Sequence, residues 1–152
     1  MGILGKDLHV YWGNLPHWRA SGATYFLTWR LRPQVPDLDP GERRMVTQAI
    51  NHHHLSKYRL HVWVVMNDHV HALLTPKQGF TLEQIVRAWK SFTSRSLNKQ
   101  RGTAGPLWQE EYFDRIIRDE AEFLEKSTYI LGNPFKRWPE LTEYAWVGVE
   151  TV

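Results

Sequence analysis

Apolar and polar positions alternate with a period of two on both sides of a short polar break in residues 60–75, LHVWVVMNDHVHALLT. Two such runs flanking Met66-Asn67-Asp68 predict a β-hairpin. On its second strand His69 and His71 are two apart and leave the same face, while Val70 points the other way. Residues 23–31, ATYFLTWRL, are rich in β-branched and aromatic types and predict a first strand, which Pro33 and Pro36 end. Between the two lies a helix over 39–55, opened by Asp39 as N-cap and Pro40 at its first turn. Its apolar stripe of Met45, Ile50 and Leu55 is loose. Thr81 caps a helix over 82–99, in which Leu82, Ile85, Val86, Trp89 and Phe92 recur at three and four and predict the buried stripe. Residues 107–117 contain a short strand. Asp119 caps a last helix over 120–132, with Phe123, Leu124, Thr128 and Leu131 as its apolar side and Gly132-Asn133-Pro134 as its stop. Residues 135–152 show no period. The expected division is an irregular arm over 1–22, one domain over 23–138 and a tail over 139–152.

The order strand, helix, strand, strand, helix, strand, helix is the split βαβ arrangement of an α+β, ferredoxin-like (RRM-like) antiparallel sheet with one extra C-terminal helix. In the usual strand order, 4-1-3-2, the strand carrying His69 and His71 is central. One face of the sheet takes the first two helices, and the other is left for a site.

Composition narrows the class. A chain of 152 residues with 42% apolar and 23% charged residues suits a single globular domain. No apolar run approaches the roughly 20 residues of a membrane span, and MGILGKDLHVYWG lacks the build of a signal peptide. The absence of cysteine excludes disulfides, thiol catalysis and thiolate metal sites, and fits a reducing cytoplasm. The net charge of +3 is small, but its distribution is uneven. Arg87, Lys90, Ser91, Ser94, Arg95 and Asn98 share the polar side of the second long helix, cationic or able to hydrogen-bond throughout. Phosphate contact is the expected role of Arg87, Lys90, Ser94 and Arg95. There are eight tryptophans; most are expected in the core.

Two imidazoles on one sheet face can chelate a divalent cation, although any half-buried strand can carry two polar residues on its wet side. His52, His53 and His54 are consecutive on a helix end, about 100° apart, and cannot all aim at one ion. Tyr129 and Asn133 are four apart near the end of the last helix, which puts them on one face. A tyrosine oxygen can act as a covalent nucleophile, and an asparagine carbonyl can ligate a hard cation. Separately they read as a helix tyrosine and a helix C-cap; with the two histidines they make a constellation. Tyr112 is a rival nucleophile, beside an Asp114-Arg115 pair that is either structural or DNA-positioning.

The stretch VVMNDHVHALLTP resembles the histidine–hydrophobe–histidine motif of the HUH single-tyrosine transposases. GATYFLTWRL, WKSFTSRSLN, LWQEEYFDRIIRDE and YILGNP, in that order, resemble the REP-associated tyrosine transposases, relatives of small insertion-sequence transposases. The likeness runs from about residue 16 to 138. It implies Mg²⁺ or Mn²⁺ bound by His69, His71 and Asn133, a nucleophile at Tyr129, and DNA contacts that would include Arg115. It further implies a bacterial, nucleoid-associated enzyme that cuts and rejoins single-stranded DNA beside hairpins, without a nucleotide cofactor, as monomer or homodimer. The alternative reading is a non-catalytic module that binds hairpin DNA or RNA on its sheet.

Overall fold

The computed structural model describes residues 22–150 and the backbone of Ile3 and Leu4. The irregular arm expected over residues 1–22, with Trp12 and Trp18, lies almost wholly outside the described residues. The elements are β1 (Ile3–Leu4), β2 (Tyr25–Arg30), α1 (Pro40–Asn51), β3 (Tyr58–Val65), β4 (His69–Pro76), α2 (Leu82–Arg101), β5 (Phe113–Ile116), α3 (Glu120–Arg137), β6 (Glu143–Tyr144) and β7 (Val147–Val149).

Five strands form one antiparallel sheet in the order β5-β2-β4-β3-β7, so the histidine strand is central. The first four of these strands are the expected 4-1-3-2 arrangement, and β7 is an addition at the edge. Because the two crossovers share one hand, α1 and α2 lie on the same face. There Leu27, Trp29, Leu60, Val70, Ala72 and Leu74 pack against Val46, Ile50, Ile85, Val86, Trp89 and Leu97. Tyr58 donates its hydroxyl proton to the Ile50 carbonyl at 2.6 Å and accepts from Trp89 Nε1 at 3.1 Å, tying α1, β3 and α2 together. On the other face Phe26, Val62, Val64 and Leu73 are covered by Phe123, Ile130 and Leu131 of α3. Most of the described tryptophans are buried or packed against these cores, as expected.

The three expected N-caps are present. Asp39, Thr81 and Asp119 each accept from the backbone N–H three residues on, and Glu42 and Gln84 complete capping boxes. Other expectations are corrected. Helix α1 stops at Asn51 rather than running to 55, and Leu55 is exposed at a positive φ of 73°. In α2 Phe92 is exposed, because Trp89, Thr93 and Leu97 continue the inward face and Phe92 falls beside it. In α3 the inward residues are Ser127, Ile130, Leu131 and Pro134, while Thr128 is exposed. Gly132-Asn133-Pro134 does not stop this helix, which continues to Arg137 with Pro134 inside it. Proline forfeits one backbone bond there. Burial of its ring offsets that loss, and Trp138 N–H donates to the Pro134 carbonyl at 2.8 Å to hold the final turn.

The tail is not irregular either. β7 pairs with β3 and closes that edge, and Tyr144 donates to the Val65 carbonyl at 2.6 Å. Gly148 lies opposite Trp63, whose ring would stand 2.3 Å from a Cβ at that position, so only glycine fits. Glu150 accepts from Arg59 Nε at 2.5 Å and lies 3.4 Å from His61 Nδ1, while His61 Nε2 meets Thr75 Oγ1 at 2.8 Å. The strand signal was weak because β6 and β7 have two and three residues.

Glu42 and Arg101 join the start of α1 to the end of α2. Arg101 donates from Nε at 2.6 Å and from Nη2 at 2.9 Å to a carboxylate with 7% of its side chain exposed. The Arg101 hydrogen bonds, opposed by burial, hold the Glu42 carboxyl below its ordinary value. A carboxylate depressed on folding stabilises above its unfolded pKa, and that contribution is lost as pH falls through the lower, folded value. Glu42→Gln should therefore lower unfolding free energy by about 1–3 kcal/mol at pH 7. In urea denaturation the gap between variant and wild type should shrink below pH 4.5. A gap independent of pH would show that the charge is not what matters.

Candidate active site

The antiparallel register sets Thr28 opposite His71 and Arg30 opposite His69. Even-numbered residues of β2 and odd-numbered residues of β4 thus share the face that α3 covers in part. Phe26, Thr28, Arg30, His69 and His71 all project there.

Each imidazole is oriented through Nδ1. His69 Nδ1 lies 2.7 Å from Asp68 Oδ1; a carboxylate oxygen only accepts, so Nδ1 is the donor and Nε2 is left out of that contact. His71 Nδ1 lies 2.7 Å from Thr28 Oγ1. His71 is 2% exposed, and its Nε2 has no hydrogen-bond partner among the described residues. Were Thr28 the donor, a buried N–H at Nε2 would be left without an acceptor. With Nδ1 donating, Nε2 holds a lone pair that a cation can fill. Burial, reinforced by the charges of His69 and Arg30, holds the His71 imidazole down to about 3, so the ring is neutral near pH 7. The two rings stand 4.7 Å apart between centroids. Histidines fixed through Nδ1 with Nε2 left over are the donor set of a metal centre, so these residues fit a divalent cation. Among the described residues no group of three or more histidine or acidic side chains is arranged to hold a metal.

Tyr129 comes to His71 from α3 of the same chain. Their rings are 5.2 Å apart and edge-on, and Tyr129 is 46% exposed. Phe26 stacks on His71 at 5.6 Å and meets Tyr129 edge-on at 6.1 Å, which spaces the two. Asn133 follows Tyr129 by one turn. Because α3 continues past it, both residues lie in regular helix and on one face. Asn133 is half-buried, and its amide has no hydrogen-bond partner among the described residues.

Other predicted residues lie elsewhere. Tyr112 packs with the α1–α2 core, across the sheet from the histidines. Arg115 is on the histidine face, but its Nε is engaged by Glu122 Oε2. Glu122 Oε1 also accepts from the Arg118 N–H at 2.9 Å, so the Arg115 contact ties β5 to the start of α3. Arg87, Lys90, Ser94 and Arg95 are on α2, behind the sheet. Lys90 Nζ is committed to the carbonyls of Gln109 and Glu110 at 2.7 and 2.8 Å, a loop-holding role. Arg87 pairs with Glu83 at 3.0 Å and Arg95 donates to Ser91 at 2.8 Å, both exposed. Ser94 is half-buried. His52 and His53 meet ring to ring, while His54 Nδ1 accepts from the Leu60 N–H at 3.0 Å, so the triple histidine does not converge.

Sequence reasoning missed the residues that complete the site. A cleft of about 310 Å³ beside Tyr129 is lined by Phe26, Thr28, Arg30, His71, Phe113 and Lys126 as well. The alternation of β2 puts Phe26, Thr28 and Arg30 on one face, but only the register with β4 shows which face. Lys126 precedes Tyr129 by three, a helix-neighbour spacing that carries the signal in the sequence.

The family model described as "Transposase IS200 like" matches residues 32–133. A REP-associated tyrosine transposase of Escherichia coli (strain K12) is 27% identical over 120 residues, 76% of this chain and 68% of that protein. Among solved structures, a REP-associated tyrosine transposase bound to a REP hairpin superposes with a TM-score of 0.62 at 21% identity, covering 78% of this chain and 70% of its own. A transposase-like protein from Deinococcus radiodurans gives 0.49 at 22% identity, over 70% of this chain and 87% of that one. The family model spans most of the described domain, from just past β2 through Asn133, and the chain belongs to the IS200-like transposase family.

Proposed function

We propose that the chain is a single-stranded DNA endonuclease and strand transferase that uses Mg²⁺ or Mn²⁺ and cuts and rejoins DNA beside hairpin sequences through Tyr129. The observation that carries this reading is an accessible tyrosine against a buried histidine whose Nε2 has no partner among the described residues, in a cleft flanked by Arg30 and Lys126. Hairpin DNA as the substrate is supported by the similar fold described in complex with a REP hairpin. Tyr129 and His71 meet within one chain, which supports a site assembled by a single protomer.

His69 and His71 would hold the cation through Nε2, with the Asn133 carboxamide oxygen as the third donor. A bound divalent cation supplies polarisation of the scissile phosphate and stabilises charge developing on it. Tyr129 Oη attacks phosphorus and gives up its proton to solvent, and the P–O3′ bond breaks. The departing 3′ oxygen takes up a proton, and the 5′-phosphate stays on the tyrosine. Rejoining reverses these roles: a 3′-hydroxyl attacks the phosphotyrosine and Tyr129 leaves. The phosphotyrosyl bond keeps the energy of the original phosphodiester, so no nucleotide cofactor is needed.

Labelled single-stranded hairpin DNA incubated with protein and Mn²⁺ should give a slow covalent band on a denaturing gel. Tyr129→Phe should remove the band and keep binding, and Tyr112→Phe should keep both. The reverse pattern would transfer the nucleophile to Tyr112. No band on several hairpins, with binding intact, would favour the non-catalytic binding module. Thr28→Val and Asp68→Asn should each weaken Mn²⁺ binding by roughly 10- to 100-fold, since they orient the ligands without touching the ion. Calorimetric titration with unchanged affinity for both would remove the histidine pair from the metal centre.

A further inference from the structure

We infer that the cleft beside Tyr129 is a nucleotide seat, in which Phe113 stacks on the base adjoining the scissile bond and Arg30 and Lys126 pair with the flanking phosphates. The inference rests on the transferase reading and extends it to the residues that place the DNA.

Phe113 is the first residue of β5, an edge strand, and is 57% exposed. Edge strands ordinarily carry polar or charged residues outward, and a bare phenyl ring there is costly unless something covers it. Its register partner is Thr28, so it faces the histidine side, and it meets Phe26 edge-on at 6.2 Å. The ring therefore forms one wall of the cleft, with its remaining surface in solvent.

The charged side chains that line the cleft, Arg30 and Lys126, have one sign. Arg30 is exposed, opposite His69, and no carboxylate is within ion-pair distance of it among the described residues. Lys126 Nζ lies 5.2 Å from the centre of the Phe26 ring, and its carboxylate neighbour, the exposed Glu125, is 3.7 Å away, a weak pair. Among the described residues no acidic side chain lines the cleft. A flat apolar wall between two cations is the chemistry that holds a single-stranded nucleotide: the base stacks and its phosphates pair on either side. Phe26, Thr28 and His71 cannot supply that stacking surface, because all three are buried.

The test is fluorescence anisotropy of a labelled oligothymidylate of about 12 nucleotides, in EDTA, so that binding is read without catalysis. Phe113→Ala should weaken binding by about 5-fold or more, and Phe113→Trp should restore it. Arg30→Gln and Lys126→Gln should each lower the slope of log affinity against log salt by about 0.7. These side chains are exposed or half-exposed, so the variants retain the fold. Unchanged affinity for Phe113→Ala with unchanged slopes overturns the seat, and so does failure of the wild type to bind. The covalent band of the wild type on hairpin DNA is scored separately. A band with unaffected variants sinks the seat and leaves the transferase standing, whereas weakened variants without a band keep the seat and sink the transferase.

Discussion

Thr28 stands opposite His71 in the ladder between β2 and β4, and the 2.7 Å contact between them exists only in that register. A slip of one residue would turn His71 toward the α1–α2 core and bring Val70 or Ala72 to the site face. The pairing is held at both ends. Thr24 and Thr75 hydroxyls meet at 2.5 Å, and at the other end the Leu31 N–H donates to the Asp68 carbonyl at 2.9 Å. The turn that closes the hairpin also supplies Asp68, which orients His69. The same local structure thus sets strand register and the direction of both imidazoles.

Helix α3 is the second requirement. Asp119 and Glu122 fix its start, and Arg115 links that start to β5. Ser127, Ile130, Leu131 and Pro134 form its buried side, which leaves Lys126 and Tyr129 at its margin over the cleft. β7 and Glu150 brace the opposite edge of the sheet, so that β3, on which α3 rests, is an interior strand. The site is therefore built on regular elements.

Much of this was legible in the sequence. The period-two runs marked β3 and β4, the β-branched and aromatic run marked β2, the three N-caps were placed correctly, and the shared face of His69 and His71 followed from their spacing alone. What failed was tertiary in origin. Gly132-Asn133-Pro134 carries strong local stop signals, yet packing of Ile130 and Leu131 on the sheet and burial of Pro134 carry α3 through them. Phe92 fits a helical stripe by spacing, but the stripe turns toward Thr93 and Leu97. The cationic side of α2 was read as one surface, whereas Lys90 is engaged by backbone carbonyls that no local pattern shows. Phe113 and Arg30 gain their place only from pairing across β2.

The most direct test of the central claim is to locate the covalent bond. The protein would be incubated with single-stranded hairpin DNA and Mn²⁺, the DNA trimmed with nuclease, and the peptides analysed by mass spectrometry. The account predicts a nucleotide mass on the peptide containing Tyr129, through a phosphotyrosyl bond. A nucleotide on the peptide containing Tyr112, or on any other residue, would contradict it.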